Sequence, residues 1–434
     1  MLKGESGSQF GSSLERAGLM ERADMDGQLK IAVYHNLHSG GAKRTFYEEV
    51  RRLAACHHVD LYTLSNADND FCNVRPYVKG VHVYDFEPGP LIHSPFGRLN
   101  QGVRLVDLAR LRHLSQRIAA EIDAAGYNVV LVHPCQYTQS PLVLQFLHTP
   151  IVYYCHEPLR KLYETPLSRP YLRRSTVRQV LDAVDPLLRL YHLALRHLDR
   201  NGLRSANRVL VNSCFSRHNV HRIYGVDAIV CYGGIDTNVF RPLGLPRDGV
   251  LSVGALTPNK GFDFVIEALG CIPAGQQPRL TIISNYTEPY EQAYLERVAA
   301  EKKVTIQFQT NVSNGALVEA YNRATLVAYA PIREPLGLVP LEAMSCGTPV
   351  VGVREGGVVE TVVHNEGGLL TDREPNAFAY AIQTLLNDPS RASQQGQRGR
   401  QYILTHWTWD KAMRELEDHL AATAIGYNAG REEK

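Results

Sequence analysis

The 434-residue sequence has no C-x-x-C pair and no zinc-finger spacing; its eight cysteines stand singly at 56, 72, 135, 155, 214, 231, 271 and 346. That scatter argues against a disulfide framework or a Cys-based metal cluster and fits reduced thiols in a cytosolic chain. Also missing is any uninterrupted apolar run of about 18 residues, the length a membrane span needs. Net charge is scarce as well: 46 Lys plus Arg against 44 Asp plus Glu leave +2. Such a balance supplies no general attraction for nucleic acid, so any basic function has to be local. Residues 1–28 are polar, lack the apolar core of a signal peptide and read as a flexible N-terminal extension. These absences set the expectation of a cytoplasmic protein, with peripheral contact at the inner face of a membrane as an open addition.

What is present is ordinary globular material, 44% apolar and 21% charged, in a chain long enough for two or three cores. From Leu29, short apolar runs such as LKIAVY, VVLVH, IVYYC and RVLVN alternate with stretches of helical period. Alternation of that kind belongs to βαβ units and parallel sheets. The expected helices here are Lys43 to Ala55, Asp107 to Ala125 and Ser213 to Tyr224. Around Arg241 to Gly249 (RPLGLPRDG) the period lapses, and beyond it the alternation restarts. The expected architecture is α/β, two doubly wound Rossmann-like domains facing across a cleft. The first spans 29–241, a linker 242–249, the second 250–407, a final helix 408–425 and a tail 426–434. Ligands of such sheets sit beyond the carboxyl ends of the strands, so chemistry is sought in the loops there.

The segment Glu334 to Gly347, EPLGLVPLEAMSCG, follows a strand and opens a helix near Leu338. Free amides at that helix start suit a phosphate, while Glu334 and Glu342, eight positions apart, would repel one. Their expected partners are neutral donors, such as the hydroxyls of a sugar or ribose, which together with phosphate describe a nucleotide sugar. Taken alone, two glutamates at a helix start are more often solvated charges. Lys260, in VGALTPNKG after the first strand of the second domain, is placed to neutralise a leaving diphosphate. His156 and Glu157, in YYCHEPLRKLY, fall just past a strand end, with HPCQY at 133–137 a weaker acceptor-side candidate.

With this context the sequence resembles the retaining glycosyltransferases of family 4, which share the GT-B fold. The resemblance rests on the E-x7-E motif at Glu334 and Glu342, on VLVNSCFSRHNVHRIYG with YGGIDTNVFRP, and on GGAKR at Gly40 to Arg44. The Y-C-H-x-P run at 154–158 is closest to mannosyltransferase-like branches. The resemblance implies that Glu342 holds the donor ribose, Glu334 the donor sugar, and the amides of Gly337, Leu338 and Val339 the sugar and diphosphate. It places Gly40 and Gly41 beside the donor and makes His156 a contact to the transferred sugar. Catalytic roles accordingly fall to His156, Lys260 and Glu334. It further implies front-face attack with retention, in which the departing phosphate takes the acceptor's proton. Family members commonly carry an arginine two residues after the strand as well as the lysine. This sequence has Ala255 there, which leaves Lys43, Arg44 or Asn259 to replace that charge, or leaves it unreplaced.

The expected function is transfer of a hexose from a GDP- or UDP-hexose to a glycan, lipid-linked or small-molecule acceptor, without a cofactor, a metal or a nucleic-acid partner. A sugar-nucleotide epimerase of related fold and a catalytically impaired nucleotide-sugar binding protein are the alternatives. Asp68-Asn69-Asp70 has the D-x-D form of a metal site but lacks a defined ligand set. Between Arg160 and Arg208, eleven Lys or Arg stand against four Asp or Glu, a local +7 that leaves −5 for the remainder. Leu187 to Leu198 lie in the same stretch on a probable helix, so the segment is a candidate acceptor wall or anionic-membrane surface, or equally a core helix with a solvated basic side.

Overall fold

A computed structural model describes residues 27–93, 97–172, 184–286 and 288–432, with side chains described as far as residue 426. The N-terminal extension up to residue 26 and the end of the tail lie outside the described residues, as do Arg173, Arg174 and Arg178 of the basic segment.

The apolar runs form two parallel sheets. The first comprises β1 (Lys30–Asn36), β2 (His58–Leu64), β3 (Gly80–Tyr84), β4 (Val129–Cys135), β5 (Ile151–Tyr154), β6 (Arg208–Val211) and β7 (Ile229–Val230), ordered 3-2-1-4-5-6-7. The second comprises β8 (Val250–Val253), β9 (Leu280–Ser284), β10 (Ile306–Thr310), β11 (Leu326–Tyr329), β12 (Val350–Val353) and β13 (Gly368–Thr371), ordered 10-9-8-11-12-13. Every strand pairing is parallel, and the central strands are buried on both faces, as continuous Val, Ile and Leu runs require. Strand order reverses between β1 and β4 in one sheet and between β8 and β11 in the other. Those reversals open a crevice at the strands' carboxyl ends.

Helices cover the faces: α1 (Gly41–Cys56), α2 (Asn100–Ala124), α3 (Pro186–Arg204) and α4 (Cys214–Tyr224) on the first sheet. On the second lie α5 (Phe262–Gly270), α6 (Pro289–Lys302), α7 (Asn314–Arg323), α8 (Leu338–Ser345), α9 (Pro375–Leu386) and α10 (Pro389–His406). The last helix, α11 (Trp409–Glu432), returns to the first domain. Its stripe Trp409, Met413, Leu416 and Leu420 is buried with Ile31, Val33, Phe46 and Leu210. Residues 241–249 carry neither strand nor helix.

Two elements differ from the sequence expectation. α2 begins at Asn100 rather than Asp107, because the Asn100 amide bonds both the N–H and the C=O of Ile92 and anchors an earlier start. β3 has no apolar core run, with Val81 and Val83 about half exposed; it is an edge strand held by pairing to β2.

Candidate active site

The loops that follow β8 and β11 meet at the reversal point of the second sheet. Gly261, at φ 67°, brings the first loop so close that a Cβ there would lie 2.0 Å from the Ala330 carbonyl oxygen. The approach sets Lys260 Nζ 2.8 Å from Glu334 Oε2, with the Glu334 side chain 13% exposed. Burial raises the Glu334 carboxyl. The charges of Lys260 and Arg160 and hydrogen bonds from Lys260 and Tyr329 outweigh it and hold the group below its ordinary value. Gly337 then turns the chain into α8 at φ 96°, where a Cβ would crowd Tyr329 at 3.2 Å.

Glu342 lies one turn inside α8, buried. Its Oε2 accepts from the Tyr321 hydroxyl at 2.6 Å and its Oε1 from Arg44 Nη1 at 3.2 Å. Here burial wins over Arg44 and Tyr321, so the Glu342 carboxyl is raised. The two glutamates of one motif are thus pushed in opposite directions, Glu334 toward the anion and Glu342 toward the acid.

Arg44 comes from the other domain. The glycine loop Gly40–Gly41 follows β1 and opens α1, and a Cβ on Gly41 would sit 3.3 Å from Leu338 Cδ1 across the crevice. Arg44, one turn on, bridges to Glu342 and to Asn314 Oδ1 at 3.3 Å. From β5 the chain runs into His156, whose carbonyl accepts from the Ser216 hydroxyl at 3.0 Å. Its neighbour Glu157 is close enough to feel the charges of Glu334 and Lys260. Arg160 completes this wall: Nε bonds Glu157 at 2.5 Å, and Nη2 bonds the Arg333 carbonyl at 2.8 Å. Ser213, expected as the first residue of α4, instead caps it by accepting from the Ser216 N–H; its hydroxyl also donates to Pro335 O in the opposite domain.

The structure therefore gathers Gly41, Lys260, Glu334, Gly337, Leu338 and Glu342 at one crevice, with His156 on its first-domain side. Several expectations change. Both glutamates pair with cations rather than with neutral donors alone, since a buried carboxylate needs a counter-charge. Lys43 does not face the crevice: it is 1% exposed, its Nζ lies 3.1 Å from His35 Nε2, and burial pulls its ammonium down to about 8. Asn259 accepts from the Thr257 hydroxyl. The guanidinium whose charge reaches Glu334 alongside Lys260 is Arg160, which sequence reasoning counted only as part of a basic run. His133 belongs to β4 and is fully buried rather than looped toward an acceptor. Asp68 Oδ1 is consumed in a turn, accepting from the N–H groups of Asp70 and Phe71. Among the described residues no group of three His, Cys, Asp or Glu side chains is arranged to hold a metal.

A family profile described as Glycosyltransferase Family 4 matches residues 39–239, and one described as Glycosyl transferases group 1 matches residues 241–402. The chain belongs to glycosyltransferase family 4. This family 4 chain is 36% identical over 215 residues to the D-inositol 3-phosphate glycosyltransferase of Acidothermus cellulolyticus, an alignment covering 43% of this chain and 47% of that protein. It is 31% identical over 234 residues to the GDP-mannose-dependent alpha-(1-6)-phosphatidylinositol monomannoside mannosyltransferase of Mycobacterium tuberculosis, covering 48% and 60%. The chain thus spans about half the length of the curated relatives it matches. Among solved structures, sucrose-phosphate synthase from Thermosynechococcus elongatus superposes with a TM-score of 0.69 at 21% identity, covering 90% of this chain and 98% of that one. Anabaena HepE in complex with UDP and glucose gives 0.63 at 20%, covering 91% and 100%. These likenesses place the family 4 chain in the GT-B fold.

Proposed function

We propose that this protein transfers a hexose from a nucleoside diphosphate hexose to an acceptor hydroxyl with retention of configuration, in the assembly of a glycan or glycolipid. The observation that carries the reading is the Lys260–Glu334 pair at the reversal point of the second sheet, with Glu342, eight positions on, buried one turn inside α8. Lys260 offers its charge to the diphosphate, and Glu334 is then released to the hydroxyls of the sugar. Glu342, already poised between Arg44 and Tyr321, suits a ribose diol. His156 faces the reaction from the first domain. The names of the relatives, one GDP-mannose-dependent, and the UDP and glucose bound by HepE support a nucleotide-sugar donor and leave the base open.

A thermal-shift panel of nucleoside diphosphate hexoses tests the reading, since a ligand at 100 times its Kd stabilises by about 2.7 kcal/mol. At least one GDP- or UDP-hexose is expected to stabilise the parent. Glu342→Ala should weaken binding of the free nucleoside diphosphate, whereas Glu334→Ala should retain it and lose transfer. A panel in which nothing shifts the parent rejects the reading. Analysis of the products separates a new glycosidic bond from an epimerised donor.

Peripheral contact with an anionic membrane is the acceptor-side part of the proposal. On the outer face of α3, Leu190 and Leu193 are 53% and 61% exposed, in a helix that also exposes Arg196 and Arg200. An exposed apolar pair among arginines suits the interface of an acidic bilayer, each basic residue contributing about 1 kcal/mol near the surface. Co-sedimentation with phosphatidylglycerol vesicles is expected at low salt and should weaken as salt rises. Leu190→Ser with Leu193→Ser should abolish it while donor binding persists. If the parent never sediments, a soluble acceptor replaces the membrane-bound one.

A further inference from the structure

Beneath His156 lies a row of polar side chains from three separate elements. His156 Nε2 is 3.4 Å from His133 Nδ1, and His133 Nε2 is 3.0 Å from Glu49 Oε2. Exposure is 7% at His156, 0% at His133 and 2% at Glu49. The alignment of His133 Nε2 and Glu49 Oε2 falls short of a hydrogen bond, and neither atom bonds another group among the described residues, so a proton on either has only the other to face. Phe46 packs edge-on against the His133 ring at 4.9 Å, and Tyr154 stacks on it at 5.5 Å. Burying a glutamate and two imidazoles under a sheet end is costly unless each finds a partner. Packing alone gives no reason for this choice of residues.

We propose that Glu49 and His133 are positioning residues that decide which ring nitrogen of His156 carries the proton, and so whether His156 offers the transferred sugar a donor or an acceptor. The inference rests on the reading of His156 as a sugar contact. Its logic is one of proton counting. Each neutral imidazole has one N–H, and each contact in the row needs one donor and one acceptor. If Glu49 holds a proton, it donates to His133 Nε2. His133 must then carry its proton on Nδ1 and donate to His156 Nε2. His156 is left with its N–H on Nδ1, which has no partner among the described residues. If Glu49 gives its proton to solvent, every polarity reverses: His133 donates inward from Nε2, His156 donates inward from Nε2, and His156 Nδ1 becomes an acceptor. No bond other than N–H and O–H changes.

Burial favours the first arrangement, for it pushes the Glu49 carboxyl well up and keeps both imidazoles neutral, His133 falling to about 3. Other charged or titratable groups face the row from the neighbouring elements. Lys43 on α1 disfavours an imidazolium at His133, and His35 on β1 is neutral beside Lys43. Tyr154 on β5 is held protonated by burial, with Cys231 and Glu415 beyond it adding in the same direction.

The test reads the tautomer directly. Protein labelled with ¹⁵N-histidine is compared by NMR as parent, Glu49→Gln, Glu49→Leu and His133→Phe, with His156→Ala to assign the His156 signals. The His156 proton is expected on Nδ1 in the parent and in Glu49→Gln, whose amide still donates. In Glu49→Leu and His133→Phe it should redistribute between the two nitrogens. Release of nucleoside diphosphate from UDP-glucose and from GDP-mannose gives the second readout. Glu49→Leu and His133→Phe are expected to lower kcat about tenfold with little change in KM, the worth of one hydrogen bond made in the transition state. The parent should lose rate on the alkaline side as Glu49 ionises, and Glu49→Gln should lack that limb. An identical tautomer in all four proteins with superposable pH profiles would overturn the proposal. Failure of the underlying reading looks different: His156→Ala would then release nucleoside diphosphate at the parental rate even though the tautomer moves.

Discussion

Replacing Lys260 by methionine is expected to lower kcat by about 10² to 10³, the loss of about 2.7 to 4 kcal/mol that follows removal of one electrostatic contact to developing charge. Charge on the diphosphate grows as the glycosidic bond breaks, so the loss should fall on kcat more than on KM. The same substitution has a second effect that identifies the cause. With its partner gone, Glu334 keeps its burial and only Arg160 and Tyr329 to oppose it, so its carboxyl should rise. In the parent the folded-state value lies below the ordinary carboxyl value; the stability it contributes is therefore present at neutral pH and lost as pH falls from the ordinary value through the folded-state one. In Lys260→Met the folded-state value rises toward or past the ordinary one, so that contribution should shrink or reverse and stability should fall less on acidification. Adding Glu334→Gln should remove the pH shift without restoring turnover. A Lys260→Met enzyme with parental kcat would free Lys260 from the diphosphate.

Arg169→Met should cost about 3 to 5 kcal/mol, the range for breaking a buried ion pair from one side. Arg169 belongs to the first half of the chain and reaches the second. Its Nε and Nη2 bond Glu291 at 3.1 to 3.2 Å, and its Nη1 lies 2.9 Å from Asp263, with the Tyr171 hydroxyl also on Glu291. Glu291 is 0% exposed, so losing the guanidinium strands a buried carboxylate between the domains. Denaturant melts should show the first transition moved to lower concentration, and small-angle scattering should show a larger radius of gyration. Arg169→Lys should recover only part, because a single ammonium cannot replace a planar fork. Coupling Arg169→Met with Glu291→Met should recover more. Unchanged melts and scattering in Arg169→Met would show that the domains are held by other contacts.

That contact also accounts for part of the basic segment. Much of the local +7 is spent inside the molecule: Arg160 and Arg169 on the second domain, Arg204 on the Tyr224 carbonyl and Arg208 beside His419. The sequence counts charges but does not show what a guanidinium faces, because a long flexible side chain can reach partners a hundred residues away.

The chain's own pattern determined the doubly wound sheets, the helices between them and the E-x7-E segment, because periodicity, caps and glycines act over a few neighbouring residues. Ser213 and Gly337 are legible for that reason. Partners were decided only when the domains closed. Lys43 and Arg44 are adjacent in sequence, yet one is buried on His35 and the other crosses to Glu342, since successive side chains of a helix point about 100° apart. Tyr321, Arg160 and Glu49 carry no local signature, and the strand-end places of His133 and His156 say nothing of their joining Glu49 in one row. Their contacts join separate elements, and only the tertiary fold, by removing water from those sites, made each buried charge or imidazole depend on the group placed opposite it.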